Sequence, residues 1–255
     1  MQTSSDAARL PRGEAFWHTC QRCVVALCAP LWVPAAAAVL RFVSGYRIRD
    51  LRRVRAEFDR ILDEASAPML ICANHLTLID SLLIAWALRS PWRYLLHPAS
   101  FPWNTPEVKN FAATPRQRVL AYLAKCIPIE RGGGGEETAR VLRRVAFLLS
   151  AGETALLFPE GGRSRSGRVE PAEGGWGVGR ILASLPRCRV LCVYLRGDSQ
   201  HGWSDLPAPG ERFEVRMACI EAKSDLRGVR RSRDLSQQVL RQLAQLEAGY
   251  FDDRQ

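Results

Sequence analysis

The chain has 255 residues, 47% of them hydrophobic and 24% charged, enough for one large core or one core with a small appendage. A net charge of +10 and a sequence pI of about 9.6 favour anionic partners. The arginines are not interleaved with a platform of stacking aromatics and no zinc-finger spacing occurs, which argues against nucleic acid and leaves an anionic membrane face.

In chain order, the first feature is Val24 to Leu40, a charge-free run of 17 residues interrupted by Pro30 and Pro34. A straight spanning helix needs roughly 20 apolar residues, so the run is borderline. Arg12 and Arg22 precede it, and Arg41, Arg47 and Arg49 follow. Positive charge on both flanks places both ends on the cytoplasmic side, as in a helical element dipping into one leaflet. A single-span anchor and a cleaved signal peptide ending near Ala35 to Ala37 are the alternatives. Residues 1–48 thus read as a membrane-associating helical region, and 49–255 as the main domain.

Leu51, Val54, Phe58, Ile61 and Leu62 form a helical stripe that leads through Pro68 into a short strand, Met69 to Cys72. Ser81 to Leu88 is a second helix, with Asp80 or Ser81 in its N-terminal turn. Val119, Leu120 and Leu123 predict a helix before a strand at Cys126 to Ile129, and Gly132 to Gly135 then breaks the chain. Val141, Leu142, Val145 and Leu149 form another amphipathic helix, and Ala155 to Phe158 a buried strand. A short helix over Val178 to Leu185 precedes strands at Val190 to Leu195 and Phe213 to Ile220. The loop between those strands, Arg196 to Arg212, reads as an ordinary surface loop. Leu235, Val239, Leu240, Leu243 and Leu246 predict a C-terminal helix. The class is α/β, with a mixed central sheet flanked by helices and an N-terminal apolar helical membrane-associating element. The eight cysteines lie scattered, several of them in apolar runs, and read as free thiols in a reducing compartment. Cys20-x2-Cys23 lacks a second pair at zinc spacing, so no metal is assigned.

Two stretches carry chemistry. His75 and Asp80 sit in the connection between the Met69 strand and the helix after it. Histidine takes up a proton near neutral pH, and an aspartate bonded to one ring nitrogen leaves the other free as a base. Downstream, the strand ending at Phe158 runs into Pro159-Glu160-Gly161-Gly162-Arg163-Ser164-Arg165. Glycines allow close backbone approach and arginines supply forked cations, a composition suited to phosphate or another anion.

These blocks resemble those of the lysophospholipid and glycerol-phosphate acyltransferases. Residues 74–80 match the Asn-His-x4-Asp block and 158–164 the Phe-Pro-Glu-Gly-x-Arg-Ser block. Cys126-Ile127-Pro128-Ile129-Glu130-Arg131 lies between them as the intermediate block, and Val190 to Leu195 stands where the last, weakly specified one falls. The resemblance implies an O-acyltransferase that moves a fatty acyl group from an acyl-CoA or acyl carrier protein (acyl-ACP) thioester to a hydroxyl of a lysophospholipid such as 1-acyl-glycerol-3-phosphate. It implies His75 as base, Asp80 as its orienting partner, and Arg131, Glu160, Gly161, Arg163 and Ser164 as acceptor-gripping residues. It also implies no cofactor beyond the thioester co-substrate, membrane lipid as partner, an N-terminal helical pair, and a place at the cytoplasmic face of the plasma membrane. The chain departs at Gly162, where many members have Thr, at Cys192, where Pro is common, and at His97 to Asn104, where phosphatidate-forming members carry a different motif. A specialised acceptor, such as a lipidated amino acid or a polyene, and a non-catalytic lipid-binding relative are therefore the alternatives. A dedicated serine hydrolase is disfavoured, since no Gly-x-Ser-x-Gly elbow surrounds Ser164.

Overall fold

The computed structural model describes residues 10–64, 68–130, 135–172 and 174–254. It begins with α1, Arg12–Ala38, which closes in a π-helical turn at Val39–Val43. Where a helical pair was expected, the described residues form one continuous helix, whose apolar run extends past both prolines. Then follow β1 (Arg47–Ile48), α2 (Leu51–Asp63), β2 (Met69–Ala73), α3 (Asp80–Leu88), α4 (Pro91–Leu96) and β3 (Trp103–Asn104). The short α5 (Val108–Phe111) and α6 (Pro115–Leu123) lead to α7 (Gly135–Ser150) and β4 (Ala155–Leu157). The chain ends with α8 (Gly177–Ser184), β5 (Arg189–Gly197), β6 (Arg212–Ile220) and α9 (Gly228–Asp252).

The strands form one six-stranded mixed sheet in the order β1-β6-β5-β2-β4-β3, antiparallel only between β5 and β6. Strand periodicity divides the core. Along β2, Leu70 and Cys72 face the layer of α7, α8 and α9, while Met69, Ile71 and Ala73 face the layer of α2 and α3. All five are buried, as a strand covered on both faces requires. On one side α8 and α9 approach so closely that a Cβ on Gly179 would lie 1.7 Å from the Ser232 carbonyl oxygen.

The expected strand at Cys126 to Ile129 is reduced to two isolated parallel bridges, Asn104 to Cys126 and Glu107 to Ile129. Pro106 and Pro128 carry no N–H, so a continuous ladder cannot form there. Lys125 just before it holds a left-handed backbone, φ 51°. Its ammonium is buried and donates to the carbonyls of Pro98 (2.7 Å) and Phe101 (3.3 Å) and to Glu153 Oε2 (2.6 Å).

That buried carboxylate also fastens α1. Glu153 accepts from Trp103 Nε1 at 3.0 Å and pairs with Arg22 Nε at 2.7 Å. The His18 ring meets Trp103 edge-on with centroids 5.4 Å apart, Gln21 Nε2 donates to the Tyr122 carbonyl at 2.9 Å, and Glu14 pairs with Arg140 and with Arg144 (3.0 Å). Further along, Val25, Ala29, Val33 and Leu40 are buried on the same side. Helix α1 therefore lies against the body along its whole length. Removing one partner of a buried pair strands the other charge in a dry interior. Glu153→Gln should thus lower folding stability by about 3–5 kcal/mol, read as the midpoint of chemical denaturation in detergent. An unshifted midpoint would mean that the Pro98 and Phe101 carbonyls alone satisfy Lys125.

Candidate active site

Strands β2 and β4 are parallel neighbours, so the loops that leave their C-terminal ends emerge side by side. These loops are the two motif stretches, 74–79 and 158–164. Asn74 makes the exit possible. As β2 turns away from β5, its side-chain amide takes over the pairing: Nδ2 donates to the Leu195 carbonyl at 3.0 Å and Oδ1 accepts the Leu195 N–H at 2.8 Å. Both backbone polar groups of Leu195 thus keep a partner where the β2 ladder ends.

Asp80 is the first residue of α3, where the helix dipole favours a negative charge. Its carboxylate reaches back over the loop. Oδ2 accepts the N–H groups of Leu76 (2.6 Å) and Thr77 (2.7 Å) and lies 3.1 Å from His75 Nδ1, while Oδ1 accepts the Thr77 hydroxyl. Both His75 and Asp80 are buried. A carboxylate only accepts, so this contact sets the neutral imidazole with its proton on Nδ1 and leaves Nε2 as the basic nitrogen. Among the described residues nothing hydrogen-bonds to Nε2.

The second loop completes the seating of His75. Phe158 stacks on the imidazole with centroids 4.0 Å apart and planes 11° from parallel. Glu160 Oε1 accepts the His75 N–H at 3.1 Å, and the His75 carbonyl accepts the Ser164 N–H at 2.9 Å. Gly161 sits at φ 71°, which lets the turn close with its N–H on the Phe158 carbonyl. Glu160, Gly161, Arg163 and Ser164 are thus gathered beside His75 and Asp80. Arg131 and the glycines 132–134 lie outside the described residues.

Three side chains have partners that the motif does not announce. Ser164 Oγ donates to the Arg168 carbonyl (2.6 Å) and accepts the Arg168 N–H (3.0 Å), which fixes the turn. Arg163 Nη1 donates to the Ser204 carbonyl (2.9 Å) and to Asp205 Oδ1 (2.7 Å), and its guanidinium lies 4.7 Å from the Trp203 ring centroid. Glu160 uses its carboxyl oxygen on the histidine backbone. The Arg196 to Arg212 loop is therefore more than a surface loop. Ser204 N–H donates to Leu76 O (3.0 Å), Leu78 N–H to Asp205 O (3.1 Å), Tyr46 Oη to Pro207 O (3.0 Å) and Gly210 N–H to Ser44 O (2.8 Å). It straps the histidine loop to the end of α1. Asn74, Thr77 and Phe158 have roles that sequence reasoning missed, although all lie in or beside the quoted motifs. Asp205 carries no local signal at all.

Burial pushes the Glu160 carboxyl up to about 8; the His75 amide opposes that rise, and the carboxylates of Glu247, Asp80 and Glu170 add to it. Between the ordinary carboxyl range and about pH 8 the folded protein keeps a proton that the unfolded chain has released, so folding stability declines as pH rises through that window. Glu160→Gln has no such proton. Its melting temperature relative to wild type should rise steadily from pH 5 to pH 8; parallel curves would show that Glu160 is ionised throughout.

Comparison with known proteins identifies the family. No curated protein sequence matches. The solved structure of the 1-acyl-sn-glycerophosphate (LPA) acyltransferase PlsC from Thermotoga maritima is similar over 94% of this chain and 98% of that one, with 14% identity and a TM-score of 0.45. The model of the acyltransferase family matches residues 45–196, more than half of the chain and the whole span from β1 through the two motif loops to the end of β5. The chain belongs to the acyltransferase family and is an acyltransferase.

Proposed function

We propose that the protein is an O-acyltransferase that carries a fatty acyl group from an acyl-CoA or acyl-ACP thioester to a hydroxyl of a lysophospholipid such as 1-acyl-glycerol-3-phosphate, with His75 as the general base. The observation that carries this reading is the His75 ring, tied through Nδ1 to a buried Asp80 and stacked on Phe158, with Nε2 unengaged. As the acceptor oxygen attacks the thioester carbonyl, its proton passes to Nε2. The new C–O bond forms, the C–S bond breaks, and the imidazolium returns the proton to the departing thiolate. No covalent acyl-enzyme is required, because the thioester is already activated.

The acceptor is held by the turn after β4. Arg163 spends only Nη1 on Ser204 and Asp205, and a guanidinium has five N–H donors, so the remaining edge of the fork serves the acceptor phosphate. Arg131 joins it by resemblance, and Glu160, Gly161 and Ser164 shape the turn against His75. Holding the acceptor in line with Nε2 is the larger part of the catalytic task.

The apolar N-terminal helix supplies a route to lipid. Arg12–Val43 is long and apolar enough to cross a membrane, with mean hydropathy 2.2 in its most apolar window, yet only 22% of that window is buried in the protein. Since α1 is docked on the body along one side, a perpendicular span would drag the polar body into the bilayer. We infer that α1 lies in the plane of one leaflet, on the cytoplasmic face of the plasma membrane where thioester donors are found, that residues 1–48 form the membrane-associating region, and that 49–255 form the catalytic domain.

The test is thiol release from long-chain acyl-CoA and acyl-ACP, in parallel, with and without lysophosphatidate, with products separated by mass. Wild type should release thiol only with acceptor and yield a diacyl lipid. His75→Ala, folded as judged by circular dichroism, should be slower by a factor of about 10²–10⁴. Release without a new lipid would make the protein a thioesterase instead.

A further inference from the structure

Val119 and Leu120, two of the apolar residues that mark α6 in the sequence, face outward in the structure. Ala121 is the buried residue of that helix, whereas Val119 is 59% exposed and Leu120 66% exposed. A soluble helix with this pattern leaves its costliest side chains in water. The exposure is not a frayed end. Thr114 Oγ1 accepts the Gln117 N–H (3.3 Å) while Gln117 Oε1 accepts the Thr114 N–H (3.0 Å), a capping box that sets the helix before any partner arrives.

Helix α6 lies beside α1, joined to it by the Gln21 Nε2 to Tyr122 carbonyl bond. The unburied side of α1 is likewise apolar, with Leu27 81% and Leu31 80% exposed. On α6 itself the charged side chains are both cations, and Glu107, bonded to Asn110, is the nearby carboxylate. Lys109, Arg116 and Arg118 are exposed, and among the described residues none of them forms an ion pair; Arg118 only donates to the Ala112 carbonyl. Adjacent apolar side chains with a basic fringe are complementary to a bilayer with anionic headgroups, whose phosphates meet the cations while the acyl region takes the apolar side chains.

We propose that α6 is a second membrane-inserting element, seated beside α1 and built into the catalytic domain, and that it docks on an anionic lipid bilayer. This rests on the in-plane reading of α1 given above. Two contact elements separated by some eighty residues of chain hold the body in one orientation, where α1 alone would let it roll about the helix axis.

The experiment measures co-flotation of purified protein, freed of detergent, with vesicles of phosphatidylcholine and phosphatidylglycerol in equal parts. Val119→Ser/Leu120→Ser and Leu27→Ser/Leu31→Ser are each expected to lower the partition coefficient at least ~10-fold, since each exchanges two buried aliphatic side chains for hydroxyls. Both pairs are exposed, so thermal midpoints should stay at the wild-type value. In the same samples, amide exchange across 115–123 should slow when vesicles are added. If the α6 variant floats like wild type while the α1 variant does not, the proposal for α6 is overturned and the reading of α1 stands. If wild type itself does not float, both fall. If the α6 variant instead dissociates a wild-type dimer with flotation unchanged, the face belongs to a second copy of the chain, and the proposal is again overturned.

Discussion

The Asp80 carboxylate accepts the N–H groups of Leu76 and Thr77, the Thr77 hydroxyl and the proton of His75 Nδ1, and these four contacts give one loop one shape. Each bond depends on the others. The two amides converge on Oδ2 only if the chain doubles back before α3, and the imidazole reaches the same oxygen only because that doubling brings it there. The desolvation cost of burying a carboxylate is offset by filling its acceptor sites and by its place at a helix N-terminus. Hydrogen bonds to a charged group contribute about 1.5–3 kcal/mol each, enough for the loop to be rigid before any substrate binds.

Everything else at the site is arranged around that loop. Parallel pairing of β2 with β4 brings the second motif to it, and the Phe158 stack, the Glu160 carboxyl and the Ser164 amide press on the His75 ring and on both of its backbone polar groups. Open α/β sheets commonly place their chemistry outside the carboxyl ends of the strands, and both motif loops leave the sheet there. The strap from Trp203 to Gly210 then links the histidine loop, Arg163 and the end of α1. The His75 loop, the turn that carries Arg163 and the end of α1 are therefore one connected structure.

Local periodicity carried most of the architecture into the sequence. The apolar runs at Met69 and Val190 are strands buried on both faces, and the stripes from Leu51, Val141 and Leu235 are helices where spacing put them. What failed did so for physical reasons. The Cys126 segment has strand composition, but its proline and that of its neighbour deny it a ladder. The apolar residues of α6 have helical spacing, but spacing does not say whether the surface they meet is protein or lipid. At the site, the proximity of residues 74–80 to 158–164 was legible only through the motifs. The partners of Arg163 were not legible, because Asp205 and Trp203 lie in a loop with no pattern and some forty residues away. Glu160 illustrates the same limit: the family resemblance implied a substrate contact, while its hydrogen bond to the His75 amide depends on how two loops stack.

Whether His75 can act as a base depends on which of its nitrogens carries the proton. The most direct measurement is the ¹⁵N spectrum of the imidazole in histidine-labelled protein, with the His75 signals assigned by their loss in His75→Gln. The neutral ring should be the Nδ1–H tautomer in wild type, with that preference lost in Asp80→Asn. A wild-type ring protonated on Nε2 would contradict the account, since Asp80 would then not be orienting the base and Nε2 would have no lone pair to offer an acceptor hydroxyl.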